Sequence, residues 1–246
     1  MFRPHQLSWL LVVLAALVTT SRGDERGGQP GPAPAAGANR VYGEWRIRVK
    51  PDKGPDYNRL IEKSGLPLFR EAGGRLVGWW NTLIGDLYEH VTLWEYDDMA
   101  AFERAIGFLS KNPAFAQFVA ARDPLLAGEE SRFLRLAAGA TEPALPESAP
   151  FVVHEIHRVP VARKEAYLAY MTKQGLGVLK ANGFRPAGPW VVDMGRWSEV
   201  TYLFPFESLA ERERLIAKFS KTESVLDRKR DHPRLDLIGD ADPAAR

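Results

Sequence analysis

The sequence predicts an α+β fold of two ferredoxin-like repeats, each running strand, helix, strand, strand, helix, strand. Three observations predict it. First, Gly85 to Met99 (GDLYEHVTLWEYDDM) lies without a gap on Gly195 to Leu209 (GRWSEVTYLFPFESL), 110 residues further on. Gly85 meets Gly195, Glu89 meets Glu199, Leu93 meets Leu203, Trp94 meets Phe204, Tyr96 meets Phe206 and Met99 meets Leu209. A self-match at one spacing marks a duplication. Second, runs of period-two and of helical periodicity alternate in the same order around both copies. Third, residues 139–150 (GATEPALPESAP) form a Pro-rich linker between them.

Taken in order, residues 1–23 read as a secretory signal peptide. Arg3 and His5 precede a 12-residue apolar run, Leu7 to Val18, broken only by Ser8, and small residues follow up to Gly23. A membrane span wants ~20 apolar residues, so cleavage is preferred to a retained anchor, and the expected location is secreted or periplasmic. Residues 24–39 are rich in Gly, Pro and Ala, without apolar periodicity, and are expected to be a disordered linker. The first repeat spans 40–138. Val41, Gly43, Trp45, Ile47 and Val49 alternate with polar neighbours, as a strand with one buried face does. Tyr57 to Phe69 follow as a helix in which Pro67 kinks the chain or opens a new turn. Gly73-Gly74 stops it.

Arg75 to Ile84 is the second strand, Gly85-Asp86 a tight reversal, and Tyr88 to Tyr96 a third strand apolar on both faces. Asp97 and Asp98 are N-cap candidates for a helix from Met99 to about Leu109. Asn112-Pro113 breaks it before a second segment, Ala114 to Leu126, and Arg132 to Ala137 is the fourth strand. The second repeat, 151–240, restarts with a strand at 151–159 and a helix at 163–182. Strands about 187–194 and 199–206 follow, then a helix from Ser208. Leu235 to Ile238 is the one candidate for its closing strand.

Composition bounds the function. The chain has 246 residues, 45% hydrophobic and 26% charged, an ordinary globular balance. Loss of residues 1–23 removes Arg3 and Arg22 and no acid, which leaves 31 basic and 31 acidic side chains. Near-zero net charge argues against nucleic acid as a partner. After signal cleavage no membrane partner is expected, and neutral charge, with any unpaired sheet edge, is compatible with a homo-oligomer. The absence of cysteine excludes disulfides, thiolate nucleophiles, Cys-ligated metal and an N-terminal lipoprotein anchor. No P-loop, GxGxxG, GxSxG or HExxH is present.

The chain resembles the NIPSNAP family. The strand opening at Glu44-Trp45 carries the resemblance, with Glu155-Ile156 as its looser counterpart at a spacing of 111. So do the Gly-x-x-x-Glu-x-x-x-Leu-aromatic-x-aromatic segments at 85–96 and 195–206, and Ser131-Arg132-Phe133-Leu134-Arg135. The resemblance covers about residues 40–235. It implies a dimeric α/β-barrel in which two antiparallel ferredoxin-like sheets face one another, here closed within one chain. Relatives by fold include cofactor-free monooxygenases and haem enzymes, and the family itself implies no settled activity.

Five histidines are present: His5, His90, His154, His157 and His232. His154 and His157, three apart on a strand, point to opposite faces and cannot share a metal, so no metal site is expected. His90 on the motif strand and its neighbour Glu89 are the candidate catalytic residues, as imidazole or carboxylate base. Glu89 and Glu199 recur in both copies, which favours a structural acid over a base, since a single active site would not need both. Trp79, Trp80, Tyr88, Trp94, Trp190 and Tyr202, with His154, are the candidate ligand-binding set. In strands such aromatics build cores; they could also line an apolar pocket between sheet and helices. The leading expectation is therefore a non-catalytic binding module for a small hydrophobic ligand, with no cofactor. The alternative is a cofactor-free monooxygenase- or isomerase-like enzyme. A haem protein is a third reading, for which His, Met or Tyr would have to serve as axial ligand.

Overall fold

The alternation of residues 41–49 becomes β1 (Val41–Val49), whose even and odd positions face two different cores. A computed structural model describes residues 39–141 and 149–227. The expectations for residues 1–23, for most of 24–39 and for Leu235 to Ile238 therefore lie outside the described residues.

After β1 come α1 (Gly54–Leu60), a wide π turn at Ile61–Gly65, and α2 (Leu66–Glu71). Pro67 sits in the first turn of α2, where its missing N–H costs nothing. The π turn is not the work of this proline, because the second repeat has one at Met171–Gly175 without any. Strands β2 (Arg75–Asn81) and β3 (Glu89–Tyr96) follow. The reversal between them is a loop from Thr82 to Tyr88, wider than the predicted tight turn; Gly85 still takes its positive φ of 115°. Asp98 caps α3 (Met99–Leu109) by accepting from Ala101 N at 2.7 Å, and Asn112 caps α4 (Pro113–Arg122) from Ala114 N. A 3-10 turn at Asp123–Leu125 then leads into β4 (Leu126–Thr141), far longer than the predicted 132–137 and reaching into the linker.

The second repeat gives β5 (Phe151–Arg158), α5 (Val161–Tyr170), the π turn, α6 (Leu176–Ala181), β6 (Ala187–Met194), β7 (Glu199–Phe206) and α7 (Leu209–Asp227). The strands form one antiparallel sheet in the order β2-β3-β1-β4-β6-β7-β5. Long β4 pairs with β1 on one side and β6 on the other, so one strand stitches the repeats together.

The sheet curls. Its two ends, β2 and β5, touch the same cluster: Val77, Trp80 and Val152 all pack on Tyr42, Leu93, Leu134, Ala187, Trp190, Val192 and Leu203. That cluster is the inner face of a barrel-like sheet. The outer face packs on helices, through Ile47, Val49, Tyr57 and Phe118 or Val41, Trp94 and Phe102 in the first repeat. Val159, Tyr167, Val200 and Tyr202 do this in the second. Burial on both sides explains why β7 has no exposed residue.

The pairing corrects one sequence match. Val41 opposes Tyr96 as Phe151 opposes Phe206, so the repeats correspond at a spacing of 110 along their first strands too. The counterpart of Glu44 is His154, not Glu155.

Candidate functional site

Strand alternation sends Tyr42, Glu44 and Arg46 of β1 inward, and the polar members of that face meet one another. Arg132 on β4 stands directly opposite Glu44. Its guanidinium grips Glu44 with two hydrogen bonds, Nε to Oε1 at 2.9 Å and Nη2 to Oε2 at 3.1 Å. Nη1 donates to Glu199 Oε2 at 2.6 Å, and Nη2 also donates to Thr201 Oγ1 at 3.0 Å. Arg132, Glu44, Glu199 and Thr201 are all buried. Fork-like guanidinium geometry suits this double grip, and a lysine could not reproduce it.

His154 completes the cluster. Its Nε2 lies 3.3 Å from Glu44 Oε2 and 3.4 Å from Arg132 Nη2. Both Nη2 hydrogens are committed, to Glu44 and to Thr201, so Nε2 carries a hydrogen and donates to Glu44. The acceptor lone pair of the neutral ring then sits on Nδ1, which has no hydrogen-bond partner among the described residues. The His154 side chain is 20% exposed, the one member of the group that reaches the surface. Burial on its own would raise the Glu44 pKa; the hydrogen bond and charge of His154, then Arg132, outweigh it and hold the carboxyl at about 2. Glu44 is an anion at neutral pH. Beside this cluster Trp190, paired across the sheet with Thr201, buries an indole N–H that has no partner among the described residues.

The predicted residues scatter over both faces. Glu89 and His90 are neighbours on β3 and therefore point oppositely. Glu89 turns inward and pairs with Arg46 at 2.9 Å. His90 is buried toward the helices, its ring 4.8 Å from that of Tyr57, and its Nδ1 has no partner among the described residues. Burial pushes its pKa below the ordinary histidine value. Trp80, Trp190 and His154 belong to the inner face. Trp79 and Trp94 pack on the helices of the first repeat, Trp94 against Phe69 at 5.4 Å. Tyr202 packs in the second repeat and donates to Tyr167 Oη at 3.2 Å. Tyr88 is largely exposed.

Between sheet and helices, Trp45, Tyr57, Phe69, Trp94 and Phe118 surround a cavity of about 40 Å³. A benzene-sized guest occupies a cavity of roughly 150 Å³, so this space is too small for one as it stands. Among the described residues no three His, Asp or Glu side chains converge as a metal site would require. No helix there is long and apolar enough to cross a membrane.

Sequence reasoning missed Arg132 as a site residue and Glu44 as the partner of His154. The available signal was an arginine at an alternate position of an apolar strand, facing a glutamate at an alternate position of another. Reading it required the β1–β4 register.

Residues 42–140 match the family model described as NIPSNAP. Comparison with curated proteins finds no match. Among solved structures, an uncharacterised NIPSNAP domain protein from Burkholderia xenovorans is 26% identical, over 42% of this chain and 99% of its own, with a TM-score of 0.39. A NIPSNAP family protein from Agrobacterium tumefaciens is 22% identical over 41% and 88%, also at 0.39. A Fusobacterium nucleatum protein provisionally assigned as a monooxygenase is 16% identical over 82% and 88%, with a TM-score of 0.56. This last likeness spans both repeats and concerns the fold alone.

Proposed function

We propose that this protein, whose residues 42–140 match the NIPSNAP family model, uses the inner face of its curled sheet as a small-molecule site in which His154 transfers a proton. One observation carries this reading: a partly exposed imidazole is held by an ionised, buried carboxylate through Nε2–H, leaving Nδ1 as the base. Glu44 orients the ring and stabilises the imidazolium formed when Nδ1 takes a proton. Arg132 fixes Glu44, and Thr201 and Glu199 fix Arg132. An apolar-ligand module between the sheet and the helices of the first repeat is disfavoured, because the space there is only about 40 Å³. The same reading takes the apolar run Leu7 to Val18 as an export signal, acting before the protein folds outside the cytoplasm.

Base-promoted elimination of a nitrobenzisoxazole tests it without knowledge of the substrate. The base takes the ring C–H proton, the N–O bond breaks, and a coloured nitrile phenolate leaves. The expected result is saturable turnover that falls by at least about a hundredfold in His154→Gln and is kept in His90→Gln. Equal rates for the wild type and His154→Gln would overturn the proposal.

A further inference from the structure

The two repeats place the same backbone positions at the end of β1 and β5 and in the loop before β3 and β7, yet they charge them differently. In the first repeat Arg48, the last residue paired between β1 and β3, forms an ion pair with Asp86 of the loop. The acid Glu89 beside them is taken by Arg46. Every charge there has its opposite. In the second repeat the corresponding residues are Arg158, Arg196 and Glu199. The acid of the loop has become a second arginine.

Glu199 cannot neutralise both. Its Oε2 is already bound by Arg132, which also holds Glu44. Its Oε1 lies 3.9 Å from Arg158 Nε and 4.0 Å from Arg196 Nη1, too far for hydrogen bonds. Neither guanidinium has a hydrogen bond among the described residues, and both side chains are mostly exposed, 67% and 64%. The three arginines Arg132, Arg158 and Arg196 outnumber the two carboxylates Glu44 and Glu199 by one. Lys164 adds a further cation nearby, its Nζ donating to the Trp197 carbonyl at 2.8 Å. Trp197 itself, next to Arg196, is 63% exposed. The first repeat fills the same two positions with the balanced pair Arg48 and Asp86, so the fold does not need two arginines here.

We propose that the molecule taken up at the His154 site is a small apolar carboxylate whose anionic group is received by Arg158 and Arg196, with Trp197 against its apolar body. The inference rests on the proton-transfer reading for the identity of the site. Two guanidiniums that share one satisfied acid are poised to bind a carboxylate bidentately. The excess charge sits at the outer end of the chain of contacts His154, Arg132, Glu199, Arg158, so the carboxylate would be anchored at that end.

Phenylacetate and the neutral phenylacetamide are the probes, with binding to the full chain followed by ligand-observed NMR. Phenylacetate is expected to bind at least about tenfold more tightly than the amide. Arg196→Asp restores the pairing that the first repeat uses, so the variant keeps its fold and thermal midpoint while losing that preference. His90→Gln, on the helix side of β3, should bind phenylacetate as the wild type does. Equal binding of the two probes, or an unchanged preference in Arg196→Asp, would overturn the inference. Turnover of the nitrobenzisoxazole that depends on His154 would in that case still support the proton-transfer reading. Anion preference with no His154-dependent turnover would sink that reading instead, and with it the placement of the carboxylate at a catalytic site.

Discussion

Replacing Arg132 by methionine removes one cation and four hydrogen bonds from the middle of the inner face. Two of these go to Glu44 at 2.9 and 3.1 Å, one to Glu199 at 2.6 Å and one to Thr201 at 3.0 Å. Both carboxylates are at least nine-tenths buried, so water cannot replace what is lost. Breaking a buried ion pair by deleting one partner costs about 3–5 kcal/mol. Methionine keeps the packing of the arginine stem and nothing else, so the loss reads the charge and its hydrogen bonds rather than an emptied space. The sign of the pH dependence separates this from a cavity effect. In the wild type Glu44 is held at about 2, below its ordinary 4.5. Its contribution is therefore full above about pH 4.5 and lost as pH falls toward 2. In Arg132→Met only His154 still opposes burial, so the Glu44 carboxyl rises and less of that contribution remains. The deficit of the variant should thus be largest at neutral pH and shrink as pH falls from about 4.5 toward 2. Urea unfolding followed by tryptophan fluorescence at a series of pH values measures it. A deficit under about 1 kcal/mol at pH 7, or one independent of pH, would refute the argument that this arginine neutralises two buried acids.

Two more outcomes follow from single side chains. His90 is buried beside Tyr57 and its pKa is depressed by burial, so it stabilises the fold above its unfolded value near 6.5 and that contribution is lost as pH falls through the folded value; His90→Phe should flatten the loss of thermal midpoint between pH 7 and pH 5, and an unchanged slope would contradict the burial argument. A Cβ on Gly43 would come within 2.5 Å of the Trp45 ring, so Gly43→Val should push that ring off Phe133 and Phe69, shift the fluorescence to the red and cost about 1–3 kcal/mol, whereas a wild-type spectrum and stability would show that the ring has room to move.

Sequence by itself determined the architecture to a large degree. The gapless match of 85–99 on 195–209 gave the duplication, and strands 41–49, 187–194 and 199–206 are where alternation and apolar runs place them. These features are local: they depend on period, on a Gly with positive φ at 85 and 195, and on Asp98 as a cap. The length of β4 was not local, because its extension past 137 pairs with β6, which lies about 50 residues on. Neither was the equivalence of Glu44 with His154, since a one-residue slip in matching leaves both strands equally apolar and only the hydrogen-bonded register distinguishes them.

The site was the least legible part. His90 and Glu89 stood out as chemistry-bearing neighbours on the motif strand, but neighbours on a strand face opposite ways, and the structure sends one to Tyr57 and the other to Arg46. Arg132, Glu44, Glu199, Thr201 and His154 come from four strands of both repeats, with sequence separations up to 88 between bonded partners. No spacing rule joins them. What the chain alone fixed about the motif at 85–99 is a sheet core kept twice; what only the tertiary structure decided is where its acids go. Curling the sheet closes the inner face around charges that each strand presents separately, and burial then forces those charges to find one another.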